Sequence, residues 1–98
     1  MKKIAVLGAG MVGRAIAVDL AKNFEVTSID ISDASLETLR AKYNYIDTIK
    51  SDLCNYENYQ QMLQPFDIIV TAVPGFMGFK TLEAVIKTKK NVVTIIKK

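Results

Sequence analysis

Three glycines near the amino terminus are spaced so that they could hold a phosphate group. Gly8, Gly10 and Gly13 form the pattern G-x-G-x-x-G, between a short apolar run and residues with helical spacing. In a strand–turn–helix unit, the first glycine permits the tight turn, the second lets a pyrophosphate approach the backbone, and the third lets the helix pack against the sheet. The helix then offers free backbone N–H groups and the positive end of its dipole. The pattern predicts a dinucleotide site.

An acidic residue lies at the distance that this interpretation requires. Asp30 ends a second apolar run, 22 residues after Gly8 (30 − 8). A carboxylate about 20 residues after the glycine pattern typically accepts a hydrogen bond from the ribose 2′-hydroxyl of the adenosine half. The glycines alone would also fit a tight turn in a domain that binds no nucleotide, and the spacing of Asp30 argues against that alternative.

The same acid bears on which cofactor is bound. A carboxylate at Asp30 would repel the 2′-phosphate of NADP. Residues 31–33 are Ile, Ser and Asp, so this segment holds no arginine or lysine to bind such a phosphate. The sequence therefore favours NAD over NADP, without excluding NADP.

The elements that must position these residues follow from the hydrophobic pattern. Strands are expected at 3–7, 25–29, 45–49, 66–73 and 91–96, and helices at 11–22, 32–42, 56–63 and 76–88. Strands that alternate with helices predict a parallel sheet with right-handed crossovers. We expect one α/β domain over residues 1–98, a three-layer doubly wound (Rossmann) sheet of five strands in the order 3-2-1-4-5.

In such a sheet, ligands bind beyond the carboxyl ends of the strands, where the strand order reverses between strands 1 and 4. Four loops are expected to meet there, one each for the pyrophosphate, the adenosine ribose, the adenine and the nicotinamide half. In that order, the candidate cofactor-binding residues are Gly8, Ala9, Gly10, Met11, Val12 and Gly13; Asp30 and Ile31; Asp52 and Leu53; and Ala72, Val73 and Pro74.

Several neighbouring residues have a second interpretation. Asp52 could instead be a turn or helix-start residue, and Arg14 could either reach a phosphate or face solvent. Cys54 is expected to be a small buried apolar residue rather than a reactive thiol. Phe76, Met77 and Phe79 are expected to pack within a helix rather than line a substrate pocket, although a location in the preceding loop leaves the pocket open as an alternative.

The composition limits the kinds of site and binding partner that the chain can have. The chain has 98 residues, a formal charge of +3, one cysteine and no histidine. A single cysteine excludes a disulfide within the chain and a cysteine metal cluster, and no metal site is expected. The lysines are scattered, which indicates a solvated surface rather than nucleic-acid binding. No secretory leader or apolar segment of about 20 residues is present, so we predict a cytoplasmic protein without a membrane contact.

Together, these segments resemble the N-terminal nucleotide-binding domain of the saccharopine dehydrogenase family. The resemblance covers essentially the whole chain and rests on residues 8–14, Asp30, Ser-Asp-Leu at 51–53 and Thr-Ala-Val-Pro-Gly-Phe at 71–76, the last being the most specific. It implies that residues 8–13, Asp30, 52–53 and 72–74 contact the dinucleotide. It also implies an enzyme that oxidises or forms a C–N bond of an amino acid, with hydride transfer to or from the nicotinamide.

The chain departs from the family where substrate would bind. Family enzymes continue past the fifth strand into a further strand and a substrate and dimerisation domain, whereas this chain ends at Lys98, with Thr94 where an aspartate is expected. No catalytic residue is identified. We therefore expect a cofactor-binding domain that lacks its substrate domain and is inactive alone. An exposed edge strand pairs readily with another chain, so a homo-oligomer is expected through 92–96 or through the surface that the absent domain would cover.

Two other functions stay open at this point. The chain also resembles the non-catalytic NAD-binding modules that regulate potassium transport, which are compact and dimeric. The Val-Pro-Gly-Phe segment at 73–76 argues for the dehydrogenase instead. A doubly wound domain that binds no nucleotide is the remaining alternative.

Overall fold

A computed structural model describes residues 1–94 of the chain, without the side chain of Phe76. The strands are β1 (Lys3–Leu7), β2 (Glu25–Asp30), β3 (Asp47–Lys50), β4 (Ile68–Thr71) and β5 (Asn91–Thr94). The helices are α1 (Met11–Leu20), α2 (Asp33–Lys42), α3 (Tyr59–Met62), which a single 3-10 turn at Tyr56–Asn58 precedes, and α4 (Gly75–Lys87). All strand pairs are parallel and the sheet order is β3-β2-β1-β4-β5, which confirms the predicted fold class and order.

The sheet separates two apolar clusters, because successive side chains of a strand point to opposite faces. Odd-numbered residues of the central strands, such as Leu7 and Ile69, pack with residues of α3 and α4. Even-numbered residues, such as Val6 and Val26, pack with residues of α1 and α2. Strands β1, β2 and β4 carry mostly buried residues, whereas β3 and β5 lie at the edges. The molecule therefore has three layers, as the alternating pattern predicts.

The element boundaries differ from the prediction where sequence signals are weak. Strand β3 covers Asp47–Lys50 instead of the predicted 45–49, so it lies closer to the carboxyl terminus. Strand β4 is shorter than the predicted 66–73, although Phe66 and Val73 are buried. Ser32 caps α2, since its Oγ accepts a hydrogen bond from the backbone N–H of Ser35 at 3.2 Å. Asn55 makes no such bond before the 3-10 turn.

The edge position of β5 is confirmed for Asn91–Thr94. The end of the predicted strand, residues 95–96, lies outside the described residues. Self-association through this edge stays a prediction. None of the helices in the described range has the length and apolar composition that crossing a membrane requires.

Tyr59 connects α3 to the loop that follows β3. Its side chain is 1% exposed, and its hydroxyl donates a hydrogen bond to the carbonyl oxygen of Leu53 at 2.7 Å. Burial raises the pKa of Tyr59 from 10.0 to about 12. The contact holds Leu53, one of the predicted adenine-side residues, against the core.

This raised pKa predicts a loss of stability at alkaline pH. The native state holds the phenol proton of Tyr59 more tightly than the unfolded state does. The stabilisation that this proton contributes to the free energy of unfolding is therefore complete below pH 10, and it is lost as pH rises from 10 toward 12. The slope reaches about 1.4 kcal/mol per pH unit. Tyr59→Phe is expected to cost roughly 1–2 kcal/mol at pH 7 and to flatten this alkaline decline. Urea unfolding from pH 7 to 11.5 measures both effects.

Tyr45→Phe is the matched control, since Tyr45 is 61% exposed. The free energy of unfolding of this variant should decline with rising pH as that of the wild type does. An equally steep decline in the Tyr59→Phe protein would contradict the prediction.

Candidate functional site

The glycine turn is held between two neighbouring strands. The backbone N–H of Gly8 donates to the carbonyl oxygen of Ile29 at 2.8 Å, and that of Ala72 donates to Leu7 at 2.8 Å. Gly8 has a φ of +105°, a conformation that favours glycine, and a Cβ there would lie 2.5 Å from the carbonyl oxygen of Ala72. The turn therefore fits only because its first residue lacks a side chain.

Gly13 and Gly10 differ in the space around them, since Gly13 is closely packed and Gly10 is open. A Cβ at Gly13 would overlap the carbonyl oxygen of Gly8, so this glycine sets how closely α1 packs on the turn. A Cβ at Gly10 would have no atom within 4 Å. Gly10 is the N-cap of α1, no side chain caps the helix there, and its first turn contains no acidic residue. The start of α1 is thus open above Gly10, as the approach of a pyrophosphate requires.

The carboxylate of Asp30 is fixed by two backbone groups. Its Oδ2 accepts a hydrogen bond from the N–H of Ala9 at 2.7 Å, and its Oδ1 accepts one from the N–H of Ser32 at 3.0 Å. The side chain is half-buried at the carboxyl end of β2. Each carboxylate oxygen can accept more than one hydrogen bond. Asp30 is thus oriented by the turn itself and retains acceptor capacity for a ribose hydroxyl.

These groups surround one cavity of about 630 Å³, a volume within the usual range for small-molecule sites. The cavity lies at the carboxyl ends of the strands, where β1 separates β2 from β4. It is lined by every predicted site residue except Ala9, and the predicted residues that line it are Gly8, Gly10, Met11, Val12, Gly13, Asp30, Ile31, Asp52, Leu53, Ala72, Val73 and Pro74. Ala9 is fully buried and contributes only the N–H that orients Asp30.

The loop after β3 corrects the prediction for Cys54. The Oδ1 of Asp52 accepts a hydrogen bond from the N–H of Cys54 at 2.9 Å, which closes a tight turn. This turn points Leu53 into the core, while Cys54 is exposed and lines the cavity. Cys54 is therefore not the buried apolar residue that was predicted. Asp52 forms the turn, which is one of the two interpretations given for it, and it also lines the cavity.

Helix α4 contributes residues that the sequence analysis missed. The helix begins at Gly75, and both Gly75 and Met77 line the cavity. Met77 also packs against the core, as predicted, whereas Phe79 is 81% exposed and does not. The signal for Met77 was its place in the first turn after a buried strand, because that turn faces the carboxyl edge of the sheet.

Other candidates lie apart from the cavity. Arg14 is half-buried and is not among the lining residues. The hydroxyls of Thr71 and Thr94 are hydrogen-bonded at 2.7 Å across β4 and β5, so the threonine found in place of the expected aspartate is paired within the sheet. Residues 1–94 contain no group of three or more side chains that could hold a metal ion.

A cation also lies next to Asp30 in the sheet, outside the segment 31–33 that the sequence analysis considered, and it does not line the cavity. Lys50 ends β3 and is paired in register with Asp30, the last residue of β2. Its Nζ lies 2.8 Å from the Oδ2 of Asp33. Because β3 follows the glycine pattern by some forty residues, only the strand pairing brings this lysine beside Asp30.

Comparisons with known proteins agree with this geometry. A protein-family model described as the saccharopine dehydrogenase NADP binding domain matches residues 4–97. Apo saccharopine dehydrogenase (L-Glu forming) from Saccharomyces cerevisiae superposes with a TM-score of 0.81 at 23% identity, over 96% of this chain and 21% of that chain.

Two further structures share the fold. A 3-hydroxyacyl-CoA dehydrogenase from Archaeoglobus fulgidus superposes with a TM-score of 0.75 at 25% identity, over 99% of this chain and 34% of that one. Apo scyllo-inositol dehydrogenase from Lactobacillus casei superposes with a TM-score of 0.74 at 17% identity, over 96% of this chain and 28% of that one. The chain thus spans a fifth to a third of these proteins. Curated protein sequences give no match.

Proposed function

The chain belongs to the saccharopine dehydrogenase NADP binding domain family, and we propose that it is the dinucleotide-binding domain of an oxidoreductase acting on a C–N bond of an amino acid. The domain binds a nicotinamide dinucleotide. The observation that carries the proposal is the single cavity that joins the glycine turn, the oriented carboxylate of Asp30 and the loops after β3 and β4. When bound, the dinucleotide supplies the hydride chemistry, and the protein supplies binding and orientation.

We propose a role for each wall of the cavity. The turn from Gly8 to Gly13 and the open start of α1 would hold the pyrophosphate, because backbone N–H groups there carry no side-chain cap. Asp30 would accept the ribose hydroxyl, and the adenine would lie beside Asp52 and Leu53. The segment 72–74 would border the nicotinamide half. The apolar side chains of Met11 and Ile31, exposed in the cavity, would cover the cofactor.

We propose NAD as the preferred dinucleotide, although the family is named for NADP. The support is the position of Asp30, whose negative charge faces the cavity where the 2′ position of the ribose would lie. A 2′-phosphate would meet that charge at short range, whereas a 2′-hydroxyl can donate to it. No comparison supports the regulatory module of potassium transport as an alternative.

Calorimetric titration of the wild type and Asp30→Ala tests the proposal. We expect the wild type to bind NAD and AMP, and to bind NADP more weakly. Loss of a charge-assisted hydrogen bond worth about 1.5–3 kcal/mol should weaken NAD binding by roughly 10- to 100-fold in Asp30→Ala. The variant should also lose some stability, because the N–H groups of Ala9 and Ser32 lose their acceptor.

Asp67→Ala provides the matched control. The Oδ2 of Asp67 also accepts a backbone hydrogen bond, from the N–H of Lys3 at 2.8 Å, but at the amino end of the sheet. This variant should therefore bind NAD as the wild type does. Absence of NAD and AMP binding to the wild type at millimolar concentration would contradict the proposed function.

A further inference from the structure

Helix α4 carries an exposed apolar stripe, formed by Phe79, Leu82 and Ile86. Phe79 and Ile86 are 81% and 57% exposed, and Leu82 is half-buried. At about 100° per residue, these three side chains share one side of the helix. Thr81 and Val85, which are fully buried, lie on another side, against the core. Folding of the single chain therefore leaves the stripe largely in contact with solvent, and an exposed apolar patch is typical of an interaction site.

The charged residues of α4 are segregated from the stripe. Lys80, Glu83 and Lys87 line a groove that α4 forms with α3 and the 3-10 turn before it. The Nζ of Lys87 lies 3.8 Å from the Oε1 of Glu83, so two of these charges are also paired with each other. The stripe consequently faces away from α3. Because α4 packs on β4 and β5, that direction leads over the outer edge of β5.

The strand beneath the stripe has an edge without the usual protection. Among the described strands β5 pairs with β4 alone, and Asn91–Thr94 contains no charged residue and no proline. Val93 is 51% exposed. Strand β3, at the opposite edge, carries both Asp47 and Lys50. Charged residues and proline on edge strands hinder pairing with another chain, so of the two edges β5 is the one open to such pairing.

We propose that a second copy of the chain covers the stripe and the β5 edge together, across a two-fold axis beside β5. An axis normal to the sheet sets β5 antiparallel to its copy at a spacing of about 4.8 Å. Since α4 packs on both β4 and β5, its axis lies over the space between them, about 5 Å from the two-fold axis. The two α4 helices are then antiparallel and about 10 Å apart, which is a normal helix packing distance.

The same axis makes the stripe complementary to itself. Antiparallel α4 helices place Phe79 of one copy beside Ile86 of the other, with Leu82 near the axis. Neither the stripe nor the edge presents a charge that would select an oppositely charged partner, whereas a two-fold contact needs only a patch that fits its own copy. None of the three stripe residues lines the cofactor cavity. Pairing therefore leaves that cavity open and does not require the proposed dinucleotide.

Sedimentation equilibrium of the full chain, from about 1 to 500 µM, tests for this dimer. We expect a reversible monomer–dimer equilibrium with a Kd on the order of 10 µM, because a contact of one helix stripe and one short strand lies at the small end of specific interfaces. The Kd should not rise between about 50 and 500 mM KCl, because apolar contacts and backbone hydrogen bonds are not screened as exposed charges are.

A charge exchange tests the antiparallel orientation of the helices. Phe79→Glu and Ile86→Lys should each weaken self-association by more than about tenfold, because each buries a charge against an apolar side chain. An equimolar mixture of the two variants should form a heterodimer, since the introduced carboxylate then lies beside the introduced ammonium group. A mixture of Phe79→Glu with Phe79→Lys should stay monomeric, because antiparallel helices keep these two positions about 10 Å apart along the axis.

Val93→Lys tests the contribution of the strand, since it adds to β5 the kind of charge that protects edge strands. It should weaken self-association by more than about fivefold. Circular dichroism should show that this variant and those of α4 remain folded, because all three positions are exposed.

Tyr45→Glu is the matched control for Phe79→Glu. Tyr45 is also an exposed aromatic residue, at 61%, but it lies outside α4 and β5. This variant should keep the wild-type Kd. A wild-type chain that stays monomeric up to about 500 µM would overturn the proposal and leave the surface to a different partner. A dimer that persists in Phe79→Glu and Val93→Lys, or one that Phe79→Lys restores in place of Ile86→Lys, would overturn it as well.

Discussion

Gly13→Ala is expected to lower the free energy of unfolding by about 3–5 kcal/mol, enough to unfold a domain of this size. The new methyl group would overlap the carbonyl oxygen of Gly8 and come within 2.8 Å of its carbonyl carbon. Both atoms belong to the backbone of a turn that hydrogen bonds fix against β2, so they cannot move aside as a flexible side chain would. Relief requires α1 to move away from the sheet, which would open the core around Ala17 and Val6.

Gly78→Ala is the matched control, because Gly78 is also a helical glycine but has no atom within 4 Å of its Cβ position. Alanine is the better helix former, so this variant should be more stable by about 0.5–1 kcal/mol. Urea unfolding followed by circular dichroism measures the two changes. If Gly13→Ala proves as stable as Gly78→Ala, the close contact between α1 and the turn is not what this glycine provides.

Gly10→Ala is expected to spare the fold and to weaken NAD binding by more than tenfold. The φ of −70° at Gly10 suits any residue, and a Cβ there meets no protein atom. The loss of stability should stay below about 1 kcal/mol, the usual difference between glycine and alanine at a helix N-cap. The same methyl group would project into the space from which a pyrophosphate approaches the N–H groups of α1, so the damage should fall on binding.

Calorimetric titration of Gly10→Ala with NAD, paired with its urea unfolding curve, separates the two effects. Gly78→Ala again serves as control, since it should bind NAD with wild-type affinity. Unchanged NAD affinity in a folded Gly10→Ala protein would show that the phosphates do not lie above this turn, and would also weaken the proposed function. Gly10 and Gly13 therefore separate a binding role from a packing role within one motif.

The predicted and observed boundaries agree best where the sequence signal is local and strong. Strand β1 and helix α2 match the prediction, because a continuous apolar run specifies the strand and Ser32 caps the helix. Strand β3 is displaced, since its residues are mostly exposed and carry little hydrophobic pattern. The segment after Asn55 starts as a 3-10 turn, and the side chain of Asn55 makes no capping hydrogen bond to it.

The errors within the site have a common cause. Cys54 was expected to be buried because cysteine usually behaves as a small apolar residue, but the turn closed by Asp52 directs it into the cavity. Phe79 was expected to pack within the helix but is exposed, whereas Met77 packs as predicted and also lines the cavity. In both cases the residue type indicated a general tendency, while the direction of the backbone decided the outcome.

The sequence by itself determined the order of strands and helices, the glycine turn and the acid at Asp30, because these follow from periodicity and spacing between near neighbours. Only the tertiary structure decided that Gly8 lies against Ala72, that Ala9 orients Asp30, and that Lys50 reaches Asp33. These contacts join residues of different strands and loops, and they depend on the register in which parallel strands pair. Short-range pattern specifies the elements, and strand register brings their distant ends together into one site.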